Sequence, residues 1–481
     1  MRKFDTRVQH LKYKVLREVA KAYYEDRLLE SYNEIPKIIV EGPKPTMRCC
    51  IYKERAIVSE RIKLACGGDK SNPNVIEVVE IACDECPMGG HEVTTSCRGC
   101  IAHRCESACK VGAISFDKNQ KAVIDKEKCV NCGMCAKVCP YSAIVNNKRP
   151  CEKSCKVKAI TMNEETKAAQ IDNKKCIACG ACVYQCPFGA IVDKSYILDV
   201  IKMLKESQQN QKYHVYAVVA PSISSQFYYA KLGQVISGLK QLGFFSVVEA
   251  ALGADMVAYE EAQELVEKGF LTTSCCPSFV DFIKKNYPKV ADKISHNLSP
   301  MARISKYIKE IDPNSKVVFI GPCTSKKMEI QLPTVKPYVD SVLTFEELQA
   351  LLDSRSIDIT TLDLDVLDNA SYYGRIFARS GGVADAVRQA LKEQGREDFE
   401  YNPISCDGID ACRLALSKAS NGTLPNNLIE GMACVGGCIG GPCCLTHEIR
   451  DKNEVDKYGK EAHEKNISSA IRVFQHIPVK D

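Results

Sequence analysis

The sequence predicts two kinds of fold in one chain, an α+β part dense in cysteine followed by an α/β part. Three observations carry that expectation. The 28 cysteines are bunched: three precede position 81, sixteen lie between Cys83 and Cys186, and nine run from Cys275 to Cys444. The middle bunch repeats a short pattern. After Asp193, apolar runs of strand length alternate with helical stretches, which argues for parallel sheet covered by helices.

Composition narrows the class. A net charge of +5 with no basic stripe gives no sign of nucleic-acid binding. No stretch of about 18 apolar residues is present, so no membrane span is expected. The N-terminal MRKFDTRVQHLKYKVLREVAKAYYEDRLLE carries charge throughout and reads as an amphipathic helix, not a signal peptide. A cytoplasmic location is therefore expected, where clustered cysteines mean metal or redox chemistry.

The middle contains CVNCGMCAKVCPYSAI (129–144) and CIACGACVYQCPFGAI (176–191), both C-x2-C-x2-C-x3-C-P. Three closely spaced thiolates grip one [4Fe–4S] cluster, and the cysteine before proline serves the other cluster of a pair. A zinc ribbon would use paired C-x2-C knuckles instead. Weaker copies precede each run: CRGCIAHRCESACKVGAI (97–114) and CEKSCKVKAI (151–160). The stretch resembles bacterial-type ferredoxin domains. Cys109 and Cys139 are 30 residues apart and Cys155 and Cys186 are 31 apart, which reads as two complete units in tandem.

That reading assigns every cysteine of the middle bunch. Cys97, Cys100, Cys105 and Cys139 hold one cluster, and Cys109, Cys129, Cys132 and Cys135 a second. Cys155, Cys176, Cys179 and Cys182 hold a third. Cys151 and Cys186 are then two ligands short, and Cys83 and Cys86 of ACDECP complete a fourth. A rival scheme pairs the two strong runs with each other and strands other cysteines; His91 is an alternative ligand at one site.

In the C-terminal part, HVYAVVAPS (214–222) and KVVFIGPC (316–323) read as strands. GADMVAYEEAQELVEKG (253–269) reads as a helix closed by glycine, and TFEE (344–347) as a capping box. Four cysteine-bearing pieces sit at strand ends or glycine turns, where α/β folds build sites: TSCCP, PCTSKK, EGMACVGGC and IGGPCC. In TSCCP, neighbouring side chains point apart, so Cys275 and Cys276 suit neither a disulfide nor one metal. They suit a division of labour, one sulfur on a metal and one free.

TSCCP, PCTSKKMEI and EGMACVGGCIGG are similar to the three signature stretches of the [FeFe]-hydrogenase catalytic domain, in the same order, over about residues 214–450. The resemblance implies an H-cluster: a [4Fe–4S] cluster joined through one cysteine sulfur to a two-iron unit with CO, CN⁻ and azadithiolate. It places the cubane ligands at Cys276, Cys323, Cys434 and Cys438, with Cys438 bridging, and the proton-transfer thiol at Cys275. Glu261, Ser295 and Glu264 match the proton relay, and Lys326 matches the lysine that holds a cyanide. Ala220, Pro221, Ser222, Ser299, Phe377 and Met432 match residues around the cofactor. Gly321, Phe279, Met301 and the PCC ending depart from the usual motifs and resemble the group B branch.

The segments expected are 1–80, mainly helical; 81–147 and 148–195, two ferredoxin-like units; and 196–481, the catalytic domain. The resemblance implies a ferredoxin hydrogenase that exchanges electrons with a soluble ferredoxin or similar carrier. H₂ and protons would be its substrates, and maturation proteins its assembly partners. The alternative is an H₂-sensing or iron–sulfur assembly relative without turnover. No role is assigned to Cys49, Cys50, Cys66, Cys406, Cys412, Cys443 or Cys444.

Overall fold

The computed structural model describes residues 4–87 and 89–472. The outer ends of the first and last expected segments therefore lie outside the described residues.

The N-terminal helix forms as its charge pattern predicts, over Arg7–Tyr24, with a capping box in which Thr6 and Gln9 exchange side-chain and backbone bonds. Its apolar face, including Val15, Leu16 and Val19, is buried. A second helix, Ile51–Ala65, packs beside it. Buried charges also tie this segment down. Lys12 and Lys327 both bond Asp193, and Lys327 also reaches Glu347 at 2.9 Å.

Two ferredoxin-like units follow, but one is nested in the other. Strand β1 (Ile76–Val78) precedes β2 (His91–Val93), hairpin β3 (Ile114–Phe116)–β4 (Ala122–Ile124), and β5 (Ile144–Asn146). Then come hairpin β6 (Ile160–Met162)–β7 (Ala169–Ile171) and β8 (Ile191–Asp193). β2 pairs antiparallel with β5 and closes the first unit. β1 pairs antiparallel with β8, Ile76 facing Asp193, and closes the second. The boundary expected at 80/81 is thereby corrected, while the one at 147/148 falls between β5 and the helix Pro150–Ser154. Residues 76–86 belong with the second unit, and the first is inserted after Cys86. The physical reason is that a short strand needs a partner for its backbone groups, and β1 finds it across the insertion. The second unit's own cysteine series is thus C-x2-C at Cys83 and Cys86, interrupted, then C-x3-C at Cys151 and Cys155.

The C-terminal part contains two parallel sheets. One has the order β10 (Ser246–Glu249), β9 (Val215–Val219), β12 (Lys316–Gly321), β13 (Ser341–Thr344). The other has β11 (Leu271–Thr272), β15 (Leu428–Met432), β14 (Pro403–Asp407). β9, β12 and β15 are almost wholly buried apolar runs, as strands covered on both faces must be. The helix Ala250–Lys268 spans the middle and ends at Gly269, whose φ of 71° is the left-handed cap a glycine accepts readily. The expected TFEE capping box is present at Thr344 and Glu347.

Candidate active site and metal centres

The catalytic-type cavity lies where strand ends from both sheets converge. Cys275 and Cys276 follow β11, and Cys276 caps the helix Pro277–Asn286. Cys323 follows β12, while Cys434 and Cys438 follow β15. The last turn depends on Gly437, where φ is 91° and a Cβ would meet the Ala378 carbonyl oxygen at 2.9 Å. All five cysteines line one cavity with Lys326, Ala220, Pro221, Phe377 and Met432. Met301, which departs from the usual motif, lines it too. Cys438 presents accessible surface yet is surrounded by protein, because that surface faces the cavity.

Two expected lining residues sit elsewhere. Ser299 lines a neighbouring cavity with Ser274 and Asn297, and its hydroxyl accepts from Ala302 N–H as the cap of the helix Pro300–Ile311. Ser222 is fully buried behind Pro221, with its hydroxyl unpartnered among the described residues.

Cys276, Cys323, Cys434 and Cys438 act on one another. Burial first, then Cys323 and Cys276, push the Cys438 thiol up to about 12. Cys434 is raised in the same way and further by Cys179. Four facing thiols ionise together only against a metal, so the donor set fits a [4Fe–4S] cluster. The adjoining wall is apolar, formed by Phe377, Met432, Pro300 and Ala254, with Lys326 as its cation. That suits a compact group carrying small apolar ligands and an anionic one. Lys326 donates to Glu329 at 2.6 Å and to the Cys275 carbonyl at 3.3 Å. Burial opposes its charge, but Glu329 and then Cys323 more than offset this and raise its pKa.

Cys275 is set apart from these four. After burial, the first group acting on its thiol is the Glu261 carboxylate, and the pKa is well above the usual thiol range. Glu261 is wholly buried with one carboxyl oxygen unpartnered among the described residues, and burial pushes its pKa up to about 8. Ser295 stands between the two glutamates: it touches Glu261 and donates to Glu264 at 3.0 Å. Glu264 also takes Lys268 at 2.6 Å and Asn297 at 3.0 Å, and adjoins the exposed His296. Thiol, carboxyl, hydroxyl and carboxylate thus form a line from cavity to surface. His296 at its mouth was not singled out in the sequence, and nothing in its local pattern marks it.

Fifteen of the sixteen middle cysteines, all but Cys97, fall into four neighbouring groups. Cys105 is acted on by Cys100 and Cys139, and Cys135 by Cys129 and Cys109. Cys109, Cys129, Cys132 and Cys135 share one small cavity with His91 at its edge. Cys182 is raised by burial, then by Cys179, Cys176 and Cys155. Cys151 is pushed up to about 12 by burial, then by Cys186 and Cys83, and Cys86 joins them. The third set abuts the catalytic cavity, since Cys179 lies within reach of Cys276 and Cys434. Its loop is docked by Ser278 on Ile177 O at 2.9 Å, Thr324 on Ala178 O at 2.7 Å and Lys285 on Cys176 O at 2.6 Å.

Nested cluster-binding units leading to a thiol-lined cavity define an iron–sulfur protein. The family model for the iron only hydrogenase large subunit, C-terminal domain, matches residues 213–442, and two 4Fe-4S dicluster models match 96–143 and 121–187. The chain is an [FeFe]-hydrogenase-like protein. It is 30% identical over 385 residues to iron hydrogenase 1 of Clostridium pasteurianum, covering 68% of this chain and 65% of that protein. It is 28% identical to the periplasmic [Fe] hydrogenase large subunit of Nitratidesulfovibrio vulgaris, covering 68% of this chain and 86% of that one. It is also 30% identical over 199 residues to the cytosolic Fe-S cluster assembly factor NAR1 of Meyerozyma guilliermondii, covering 36% of this chain and 37% of that protein. Among the described residues no helix is long and apolar enough to cross a membrane.

Proposed function

We propose that this chain is a hydrogenase that interconverts protons and H₂, 2H⁺ + 2e⁻ ⇌ H₂. Electrons would pass to or from a soluble ferredoxin or similar carrier through four accessory [4Fe–4S] clusters, held by the four cysteine sets above. The observation that carries the reading is the position of Cys275. Its thiol lines the same cavity as four mutually facing cysteines, yet the titratable group acting on it most strongly is the buried Glu261. A cluster-assembly role needs thiols but no line of titratable groups from cavity to surface.

Cys276, Cys323, Cys434 and Cys438 would hold the cubane of an H-cluster, and Cys438 would bridge to its two-iron unit. When bound, that group supplies the redox-active metal at which protons and electrons combine. The chain's own residues do the rest. Glu264 exchanges protons with solvent, helped by its contacts with Lys268 and His296. Ser295 passes them inward to Glu261, whose raised pKa lets it hold a proton near neutral pH. Cys275 hands the proton into the cavity. Lys326 supplies a fixed positive charge for an anionic ligand, and Phe377, Met432 and Met301 exclude water.

Infrared spectra of the matured protein test this, because bound CO and CN⁻ absorb where protein does not. Bands together with H₂ turnover support the hydrogenase reading. A fully iron-loaded protein without bands or turnover favours the assembly role. Iron analysis tests the cluster scheme: about 22 atoms per chain are expected, against about 14 if the two strong runs pair with each other.

A further inference from the structure

The four accessory sites differ in their surroundings. The set Cys83, Cys86, Cys151 and Cys186 is enclosed by arginines. Arg149 is 2% exposed and donates to Cys83 Sγ at 3.6 Å, with its other nitrogens on Pro87 O and Lys167 O at 2.9 Å. Arg61 is 3% exposed, donates to Gly189 O at 2.6 Å, and is acted on by Cys186. Its Nε has no partner among the described residues. No carboxylate pairs with Arg61 or Arg149 among the described residues. A third guanidinium, Arg48, acts on Cys86 and stacks on Phe188, but it is paired with Asp84 at 2.9 Å.

A guanidinium stays charged in a protein, and a buried charge without a counter-ion is costly. Two such cations around four thiols lack an anion, and a cubane with four thiolate ligands is one. The other sites differ. Among the described residues no lysine or arginine donates to a cysteine sulfur of the other three sets, as Arg149 does to Cys83. Lys285 touches Cys176 O, but it is paired with Asp281 at 2.7 Å, and Lys121, half-buried, donates to Cys97 O, a backbone carbonyl rather than a sulfur. Backbone donors to sulfur do not set the sites apart. Ala113, Ala143, Ala159 and Ala190 each give an N–H to Cys109, Cys139, Cys155 and Cys186, one in every set, and Ala178 and Ala169 add a second at Cys176 and Cys83, so the arginine-enclosed site shares its count with the third set.

We infer that Arg61 and Arg149 give the cluster at Cys83, Cys86, Cys151 and Cys186 the highest reduction potential of the accessory set. Reduction adds one electron, taken from the external carrier, and makes the cluster more negative by one charge. Two buried cations favour that reduced form, and charge and hydrogen bonds to sulfur are among the protein's levers on such potentials. Cys151 acts on Cys182 of the next set, which abuts the catalytic cavity. An electron would therefore rest two steps from the site where electrons are used in pairs.

The inference rests on the four-cluster scheme and not on the H-cluster, so it is tested in protein made without maturation factors. Redox titration followed by electron paramagnetic resonance resolves the accessory steps. Arg61→Met is expected to lower only the highest step, reducing the ratio of reduced to oxidised cluster at fixed potential about tenfold, or about 59 mV for one electron. Arg149→Met should move the same step further, and Arg61→Lys should restore most of the loss. A highest step unmoved in both methionine variants at full iron content would overturn the inference, as would an equal shift of every step. Loss of four iron atoms from Arg61→Met with Arg61→Lys still loaded would support it; loss from both would overturn it. Failure of the hydrogenase reading shows separately, as missing CO and CN⁻ bands in matured protein.

Discussion

The accessory units and the catalytic cavity use the same ligand, cysteine, in opposite ways. In the units, each metal set draws three ligands from a single run or from two short ones. Tight loops and hairpins of a few residues then deliver the thiols. In the cavity, Cys276 and the turn carrying Cys434 and Cys438 follow neighbouring strands of one sheet, Cys323 follows a strand of the other, and both sheets must fold before all four meet. The units hold thiols for metal alone. On the proposed function the cavity also keeps one thiol, Cys275, out of the metal set and beside the buried Glu261 carboxyl. On the same proposed function, that difference is what separates catalysis from electron carriage: the extra parts are titratable groups rather than extra ligands.

Removing a ligand from the cavity should have the largest effect. Cys276→Ser is expected to abolish turnover and to lose the iron of the catalytic centre, while the accessory iron stays. Iron analysis beside H₂ assays checks this. If accessory iron fell as well, the two regions would not be separable in assembly. Next in size is Cys275→Ser, which should keep the full iron content and the CO and CN⁻ bands. Its activity should fall by about 10²–10⁴-fold, the usual contribution of a positioned proton-transfer group, because serine gives up its proton far less readily. Loss of iron from Cys275→Ser, with Cys276→Ser still loaded, would reverse the two roles.

The contrast also explains what was legible. The existence of two cluster-binding units could be read from spacing because most of their cysteines are local, and the 30- and 31-residue intervals mark one unit each, their two cysteines serving different sets. The nesting could not, because β1 is a three-residue strand with no periodicity and its partner lies across an inserted unit. The dicluster model over 121–187 likewise joins the two strong runs, which fall in different units. In the cavity, residue types at strand ends pointed to a site, but only resemblance brought the pieces together. Ser299 lines up by motif and yet spends its hydroxyl on a helix cap. Arg61 and Arg149 carry no signal at all, since a lone arginine in a helix reads as surface until burial is known.

A smaller effect is expected along the proton line. Glu261→Gln should slow turnover by about a hundredfold at intact iron content, since a neutral amide cannot relay protons. It should also change how stability depends on pH. The folded state keeps the Glu261 proton up to about pH 8, whereas the ordinary value is 4.5. The folded form thus binds more protons than the unfolded form between those values, and stability falls as pH rises across that window. Chemical denaturation of Glu261→Gln should show a flatter decline there. The flattening should be partial, because Asp255 is raised to about 8 by the same kind of burial. An unchanged slope would mean that Glu261 is ionised inside the fold.

The smallest expected effect lies on the seam between the two regions. Thr324 is fully buried next to Cys323, and its hydroxyl donates to Ala178 O, next to Cys179. The fit is close: a Cβ on Gly180 would meet Thr324 Oγ1 at 2.6 Å and Pro442 Cγ at 2.5 Å. Thr324→Val keeps the shape and removes the bond, leaving a buried carbonyl unpaired, so a loss of about 1–3 kcal/mol is expected. Iron content and infrared bands should not change, because neither sulfur moves. What sharpens the comparison is the form of the unfolding curve. With Ser278 and Lys285 still holding the same loop, one cooperative transition at lower temperature means that the accessory and catalytic regions unfold as a unit. A curve that splits in two would show that a single buried hydroxyl couples regions that otherwise fold separately.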